Sequence, residues 1–479
     1  MKRLLHWSMP IIVVCSLLLQ LALLTQGHNW GGDFSAYIMQ AMSVVDGNVD
    51  DFVLRNRFAM QMSSEAVGPV TYPWGFPLLL APVYALAGLD VQVFKYLLVL
   101  VYQLFLLVLW FGFADRLTRY ERLALLAVFA FNPFLLKFAN HILSDIPFLL
   151  CSTAALLMVD QLRQGRWSAA AVRVGVITGL LMASATLMRT QGILLVPVFM
   201  LAVLLPQPQW RVLWSGLASA GIMVLLSWWL LSDGTSSYVE QAAATGVQTV
   251  LDNTVYYAVL MREFFTVSGR FEWLGLSVYL MTLPCVALGI WVERARSWLF
   301  TVYALLTLAL LLVWPYQQGL RFLFPLLPLY VYWGLVGLRW LTQRFLLAAW
   351  FVPSILAALV LMFSSASTVS AAMNLIRGQP VPEGPYTALA QEMFAFVGQQ
   401  THADDVMVFR KPRVMRLMTG RDALMYRTAD DIRYGDYVII DRLNQGDQLE
   451  EAEVQTLIAQ GLLMAVFTNE QFDVYRRIH

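Results

Sequence analysis

Runs of about 20 apolar residues, the length needed to cross a bilayer as a helix, recur along most of the first 370 positions. They lie near 9–26, 92–112, 121–137, 145–162, 169–187, 190–206, 211–231, 273–292, 297–314, 320–338 and 346–366, which makes 11 candidate spans. Only 13% of the 479 residues are charged and 59% are hydrophobic, against about 25% charged in ordinary soluble domains. A lipid solvent accounts for that deficit, and the net charge of +1 gives no argument for a nucleic-acid partner. Cys15, Cys151 and Cys285 are far apart within apolar runs and read as small hydrophobes.

Basic residues orient the spans. Lys2 and Arg3, then Arg116, Arg119 and Arg122, then Arg163 and Arg166, Arg211, Arg294 and Arg296, and Arg339 and Arg344 all fall on one side of an 11-span arrangement. The positive-inside rule makes that side cytoplasmic. The expected protein is a multi-pass inner-membrane protein with a cytoplasmic amino terminus. Loops 27–91 and 232–272 and everything after 367 then lie outside, in the periplasm or its equivalent. The first apolar run, to Thr25, reads as a retained anchor because no small-x-small cleavage site precedes His28. Phe76 to Gly88 is apolar but only 13 residues long, too short to span, and reads as an interfacial or re-entrant segment opened by Pro73 and Pro77.

Outside the spans, residues 33–42 suit a short helix lying on the membrane. Loop 232–272 reads as amphipathic helix, with Tyr238, Val255, Tyr256 and Phe264 facing the membrane surface. From about 380 the composition is that of a water-soluble domain. A helix is expected over 385–399, buried strands over 406–409 and 437–440, a helix over 450–460, and a closing hairpin of 462–468 with 472–476 around Asn469-Glu470. The fold class is therefore membrane all-α, with about 11 transmembrane helices and juxtamembrane helices on the outer face, plus a small carboxyl-terminal α/β domain. The domains are 1–370 and 380–479, joined by a linker over 378–385.

Charges beside a bilayer are costly, so their positions carry information. Asp33 follows the first span and Asp145 opens the fourth, both at the outer boundary. One can act as general base toward an acceptor hydroxyl or amine, and the other can orient the acceptor or hold a divalent ion. Each also suits a helix cap. Arg189 and Arg321 share that boundary, where a guanidinium binds phosphate through paired hydrogen bonds or snorkels to lipid headgroups. His141 and Lys137 are weaker candidates for substrate binding. Tyr72, Trp74 and Phe76 can stack on a sugar or form an interfacial aromatic belt. No charge falls in the middle of a span, which disfavours a transporter.

Five segments together resemble the GT-C superfamily of integral-membrane glycosyltransferases, and most closely its protein O-mannosyltransferase and aminoarabinose-transferase branch. They are Gly32-Asp33-Phe34, Tyr72-Pro73-Trp74-Gly75-Phe76-Pro77-Leu78-Leu79, Ser144-Asp145-Ile146-Pro147-Phe148, Leu187-Met188-Arg189-Thr190-Gln191-Gly192 and Arg321-Phe322-Leu323-Phe324-Pro325-Leu326-Leu327-Pro328. The resemblance covers roughly residues 1–340 in the expected order. It implies transfer of a sugar from a polyprenyl-phosphate carrier to a lipid, glycan or protein acceptor, with inversion at C1. By the same resemblance Asp33 is the base, Asp145 an acceptor- or metal-organising acid, and Arg189 and Arg321 the donor-phosphate contacts. No cofactor is implied beyond a divalent metal ion, whose requirement stays open. Many members carry an adjacent Asp-Glu pair where this chain has Asp33-Phe34, and its third-to-fourth loop is short. The alternatives are a lipid-linked sugar flippase and a non-catalytic scaffold of the cell envelope.

Overall fold

A computed structural model describes residues 2–65, 67–164, 170–231, 246–267, 272–345, 350–444 and 446–478. Tyr238 and Arg166, named above, lie outside them. The chain opens with α1 (Lys2–Leu23), then packs α2 (Gly32–Asp46), α3 (Val49–Met62) and α4 (Gly75–Ala87) from the first long loop. There follow α5 (Val91–Gly112), α6 (Arg119–Phe131), α7 (Pro133–Phe138), α8 (Asp145–Arg163), α9 (Ala171–Met188), α10 (Leu195–Leu204) and α11 (Trp210–Leu230). The rest of the helical region is α12 (Val247–Leu260), α13 (Glu272–Glu293), α14 (Trp298–Val313), α15 (Leu327–Arg344) and α16 (Phe351–Ile376).

Among the described residues, seven helices are long and apolar enough to cross a membrane. They are α5, α8, α9, α11, α13, the continuous 320–344 run that ends in α15, and α16. Three further expected spans appear as shorter apolar helices, in α1, in 190–204 and in α14. The eleventh, 121–137, is broken into α6 and α7. Its break has a local cause: Pro133 cannot donate to the preceding turn, and Asn132 caps the new helix by accepting from Leu135 N–H at 3.0 Å. The same Asn132 donates to the Phe264 carbonyl at 2.8 Å, which pins the break to the end of a later loop. The 13-residue α4 has the length expected of the segment after Pro73.

Close helix pairs rest on small residues. A methyl group on Gly289 of α13 would sit 1.9 Å from the Trp333 carbonyl of α15, and one on Gly337 would sit 1.9 Å from the Cys285 carbonyl. Only glycine permits that backbone approach, the usual device where lipid offers no hydrophobic drive between helices.

The two ends of α8 define two rims. At its start Asp145 pairs with Arg189, and at its end Asp160 pairs with Arg116; at 1.5 Å per residue these lie about 22 Å apart. Arg116 Nη2 donates to both oxygens of Asp160 at 2.5 Å, and Nη1 reaches Tyr332 Oη at 3.3 Å and Glu293 at 3.5 Å. Arg163 and Arg296 join the same rim, Arg163 donating to the Arg296 carbonyl at 2.5 Å and Arg296 to the Asp115 carbonyl at 2.7 Å. Arg116, Arg163 and Arg296, which the charge pattern assigns to one side, thus form a physical cluster.

Two expectations need correction. Phe264, expected on the membrane surface, is fully buried in the helical core against Phe129. The helix at Asp33 does not lie on a membrane surface, because Phe34 through Ala41 are all buried. It is covered by α4 and by the carboxyl-terminal domain, in which α17 (Ala388–Gln400), α18 (Pro412–Thr419) and α19 (Glu451–Ala459) pack with a five-stranded sheet. The sheet has β1 (Met407–Val408), β2 (Ala423–Leu424), β3 (Tyr437–Asp441), β4 (Leu463–Thr468) and β5 (Phe472–Arg477) in the order β2-β1-β3-β5-β4. β1 runs parallel to β2 and β3, and β5 runs antiparallel to β3 and β4. Helix α18 and strand β2 lie in a stretch with no expected element.

Alternation along these strands sends Met407, Phe409, Tyr437 and Ile439 into one core with Phe34, Tyr37, Ile38 and Trp74. Val408, Val438 and Ile440 enter a separate core with Leu457 and Tyr475. The first long loop and the carboxyl-terminal domain therefore share a hydrophobic core.

Removing one partner of a buried ion pair strands the other charge, at a cost of about 3–5 kcal/mol. Asp160→Ala should lower unfolding stability in detergent by about that amount, measured by denaturant titration, and an unchanged transition would show that the rim does not depend on this pair.

Candidate active site

Asp33 lies in the first turn of α2, where the free N–H groups of the helix start favour a carboxylate. Its two oxygens are taken by different partners. Tyr72 Oη donates to Oδ1 at 2.6 Å and Arg321 Nη1 donates to Oδ2 at 3.1 Å. Tyr72 is held by a reciprocal pair of hydrogen bonds with the Gln40 side chain, each 3.0 Å, so α2 fixes both the acid and its donor. Burial opposes ionisation of Asp33, yet Arg321, the Tyr72 hydroxyl and Arg413 together hold its carboxyl below the ordinary range. Burial and the neighbouring Asp33 charge push the Tyr72 hydroxyl well above its usual value, so it stays a proton donor.

Arg321 enters from the seven-residue 3-10 helix Leu320–Leu326 that precedes α15. Its other nitrogen donates to Gln318. The loop that carries it is anchored by Asn253 of α12, which donates to the Trp314 carbonyl at 2.7 Å and accepts from Gln317 at 3.2 Å. Arg189 sits where α9 gives way to the turn Thr190–Leu194 and donates to Asp145 Oδ1. The Phe322 ring lies beside both guanidiniums, 4.7 Å from that of Arg189 and 5.8 Å from that of Arg321. One ring thus spaces two cations that would otherwise repel.

These groups face a cavity of about 460 Å³. Asp33, Tyr72, Gln191, Arg189 and Arg321 supply its polar side, and Ile193, Leu194, Leu310 and Leu311 supply an apolar wall. Asp145 is 1% exposed and closes the site from behind through Arg189. Its Oδ2 is buried without a hydrogen-bond partner. Among the described residues no group of three or more His, Cys, Asp or Glu side chains is gathered for a metal. The arrangement can accept a proton, and it can neutralise a phosphate with two fixed guanidiniums.

Of the residues singled out in the sequence, Asp33, Asp145, Arg189, Arg321 and Tyr72 converge. Trp74 does not join them. It is buried in the core beside Phe52, with ring centroids 6.5 Å apart, and offers no face to the cavity. Lys137 and His141 line a different cavity.

Arg413 is the residue that sequence reading missed. It is 5% exposed, comes from α18 of the carboxyl-terminal domain, and donates to Tyr72 Oη at 3.2 Å and to the Pro69 carbonyl. Its guanidinium also lies 5.4 Å from the centroid of the Tyr72 ring. The signal available was the density of cations in Arg410-Lys411-Pro412-Arg413-Val414-Met415-Arg416.

The solved structures similar to this chain include the apo oligosaccharyltransferase of Archaeoglobus fulgidus. That likeness has a TM-score of 0.58 and 11% identity, and covers 91% of this chain and 70% of the other. ArnT from Cupriavidus metallidurans, bound to undecaprenyl phosphate, is similar with a TM-score of 0.58 and 13% identity over 98% of this chain and 97% of its own. AglB from Archaeoglobus fulgidus, in complex with an inhibitory peptide and a dolichol-phosphate, gives 0.55 and 11% identity over 91% and 69%. AglB and ArnT are GT-C glycosyltransferases, and the fold of this chain is similar to theirs, as the sequence motifs implied. The sequence itself matches no protein-family model and no curated protein.

Gly68 has φ +109°, and a methyl group there would lie 2.6 Å from Arg413 Nη1. Gly68→Ala should cost about 1 kcal/mol or more and displace Arg413. Hydrogen exchange over 68–74 should then rise to the level seen in Arg413→Gln, and unchanged protection in both variants would show that Arg413 does not clamp this segment.

Proposed function

We propose that the chain is a membrane glycosyltransferase that moves a sugar from a polyprenyl-phosphate carrier to an acceptor on the outer face of the inner membrane. The observation that carries this reading is the pairing of Asp33 with Arg321 and Tyr72 in one cavity that has a polar floor and an apolar wall. Such a cavity suits a ligand with a charged head and a hydrocarbon tail. The neighbours support it, since ArnT is bound to undecaprenyl phosphate and AglB is in complex with a dolichol-phosphate and a peptide.

In this reading the chain crosses the membrane 11 times, with α1, α10, α14 and the α6–α7 pair completing the seven long spans. The amino terminus is cytoplasmic and the carboxyl-terminal domain faces outward over the site. The donor enters sideways past Leu310 and Leu311, and its phosphate reaches Arg189 and Arg321. Each arginine is already paired with a carboxylate, so an incoming phosphate competes with Asp33 for Arg321 and with Asp145 for Arg189. Loss of Arg321 raises the Asp33 pKa, because the chief ionic partner holding it down has left. The weak resting base becomes a stronger one when the donor is in place.

Asp33 then takes a proton from the acceptor nucleophile as that atom bonds to C1 from the face opposite the phosphate. The C1–O bond breaks with its electron pair going to the polyprenyl phosphate, so configuration inverts. Tyr72 and Arg413 orient Asp33 and keep its second oxygen fixed. Once the phosphate draws Arg189 away, the Asp145 carboxylate behind it would be free to organise the acceptor or hold a divalent ion.

A positioned base contributes about 100-fold or more to rate. Asp33→Asn should therefore lower transfer from a radiolabelled polyprenyl-phosphate sugar to envelope acceptors by at least about 100-fold with an unchanged Tm. Arg321→Gln should raise KM for the donor more than it lowers kcat. Full activity of Asp33→Asn would reject the assignment.

A further inference from the structure

A second cavity, of about 510 Å³, opens at the outer ends of α1, α7 and α16. Lys137, His141 and Arg377 line it, and none of its lining residues is acidic. Lys137 and Arg377 are exposed, and among the described residues neither forms an ion pair. Thr25 and Asn140 form part of its wall, and the ammonium of Lys95 stands directly behind them.

Lys95 is fully buried, and its bonds go to neutral oxygens only: the Thr25 carbonyl at 2.7 Å, Thr25 Oγ1 at 3.4 Å and Asn140 Oδ1 at 3.2 Å. A buried cation without a counter-ion is costly. Three cations therefore surround one opening, and none of the residues that line it is a carboxylate.

The wall is rigid rather than adaptive. Asn140 donates to the Leu23 carbonyl at 2.9 Å, and Asn374 donates to the carbonyls of Ala22 and Leu24, each at 2.8 Å. His28 is fixed as a neutral ring, since Nδ1 donates to the Asn29 carbonyl at 2.9 Å and Nε2 accepts from Ile142 N–H at 3.2 Å. Burial lowers its pKa to about 3, so it adds no charge of its own. On the open side the lining continues into Val369 and Met373, which are 63% and 44% exposed on the membrane-facing helix α16.

We propose that this cavity binds the phosphate of a membrane lipid, separately from Arg189 and Arg321. The positive field selects an anion, and the run of exposed apolar side chains on α16 selects one attached to acyl chains. Lys137 and Arg377 contact the phosphate, and Lys95 supplies charge through the wall. The site does not rest on the transferase reading and can hold if that reading fails.

The test uses the full chain in nanodiscs of equal phosphatidylglycerol and phosphatidylcholine, released into native mass spectrometry to read retained lipid. Wild type should retain phosphatidylglycerol preferentially. The double variant Lys137→Gln/Arg377→Gln, with both changes at exposed positions, should lose that preference about tenfold, the scale of one or two charge-assisted contacts. Arg189→Gln should keep it. Equal retention in the double variant, no preference in wild type, or an equal loss in Arg189→Gln would each overturn the proposal. So would displacement of the lipid by millimolar inorganic phosphate, which would make the ligand a free anion.

Discussion

A charge at the edge of a hydrocarbon layer has no water to screen it, so it must find a partner or be expelled. That constraint organises this molecule. Charged side chains gather at two rims about 22 Å apart, and helix α8 carries one member of a pair at each end, Asp145 with Arg189 and Asp160 with Arg116. Between the rims the packing is mainly apolar, with the buried Gln103–Gln20 hydrogen bond at 2.9 Å set into it, and it depends on glycine contacts such as Gly289 against Trp333.

The two rims put the same chemistry to different use. Around Arg116 every donor is met: both oxygens of Asp160, Tyr332, Glu293 and the Arg296 carbonyl share the guanidinium. Such a saturated network holds helix ends in register. Around Asp33 and Asp145 the arginines are paired but face open space, and Asp145 Oδ2 is left over. A pair beside a cavity can exchange its partner for a ligand. That difference, rather than the presence of ion pairs, separates the closed Arg116 rim from the rim that borders the cavity.

The carboxyl-terminal domain belongs to the rim that borders the cavity in a literal sense. Alternating residues of β1 and β3 share a core with α2 and α4, and Arg413 reaches through that interface to Tyr72 and so to Asp33. Any loosening of the domain would be felt at the acid. The second cavity lies on the same rim, and His141, which lines it, feels the charges of Asp145 and Arg321.

The sequence by itself determined what is periodic, long or charged. Span length and arginine asymmetry gave the helical membrane region and the grouping of Arg116, Arg163 and Arg296 on one side. Alternation gave β3 and the closing hairpin, and local motifs gave Asp33, Asp145, Arg189, Arg321 and Tyr72. Tertiary structure decided the rest, because burial and pairing depend on segments hundreds of residues apart. The helix at Asp33 looked fit for a membrane surface, and only the docking of a domain from beyond residue 380 shows why it is buried. Trp74 had the composition of a sugar platform, but Phe52 and the shared core claimed its face. Lys137 and His141 looked like neighbours of Asp145 in sequence, yet the fold turns them into another cavity. The cation-dense stretch around Arg413 could not say which of its arginines reaches the site, since the partners of Arg413, Tyr72 and Pro69, lie more than 340 residues earlier in the chain.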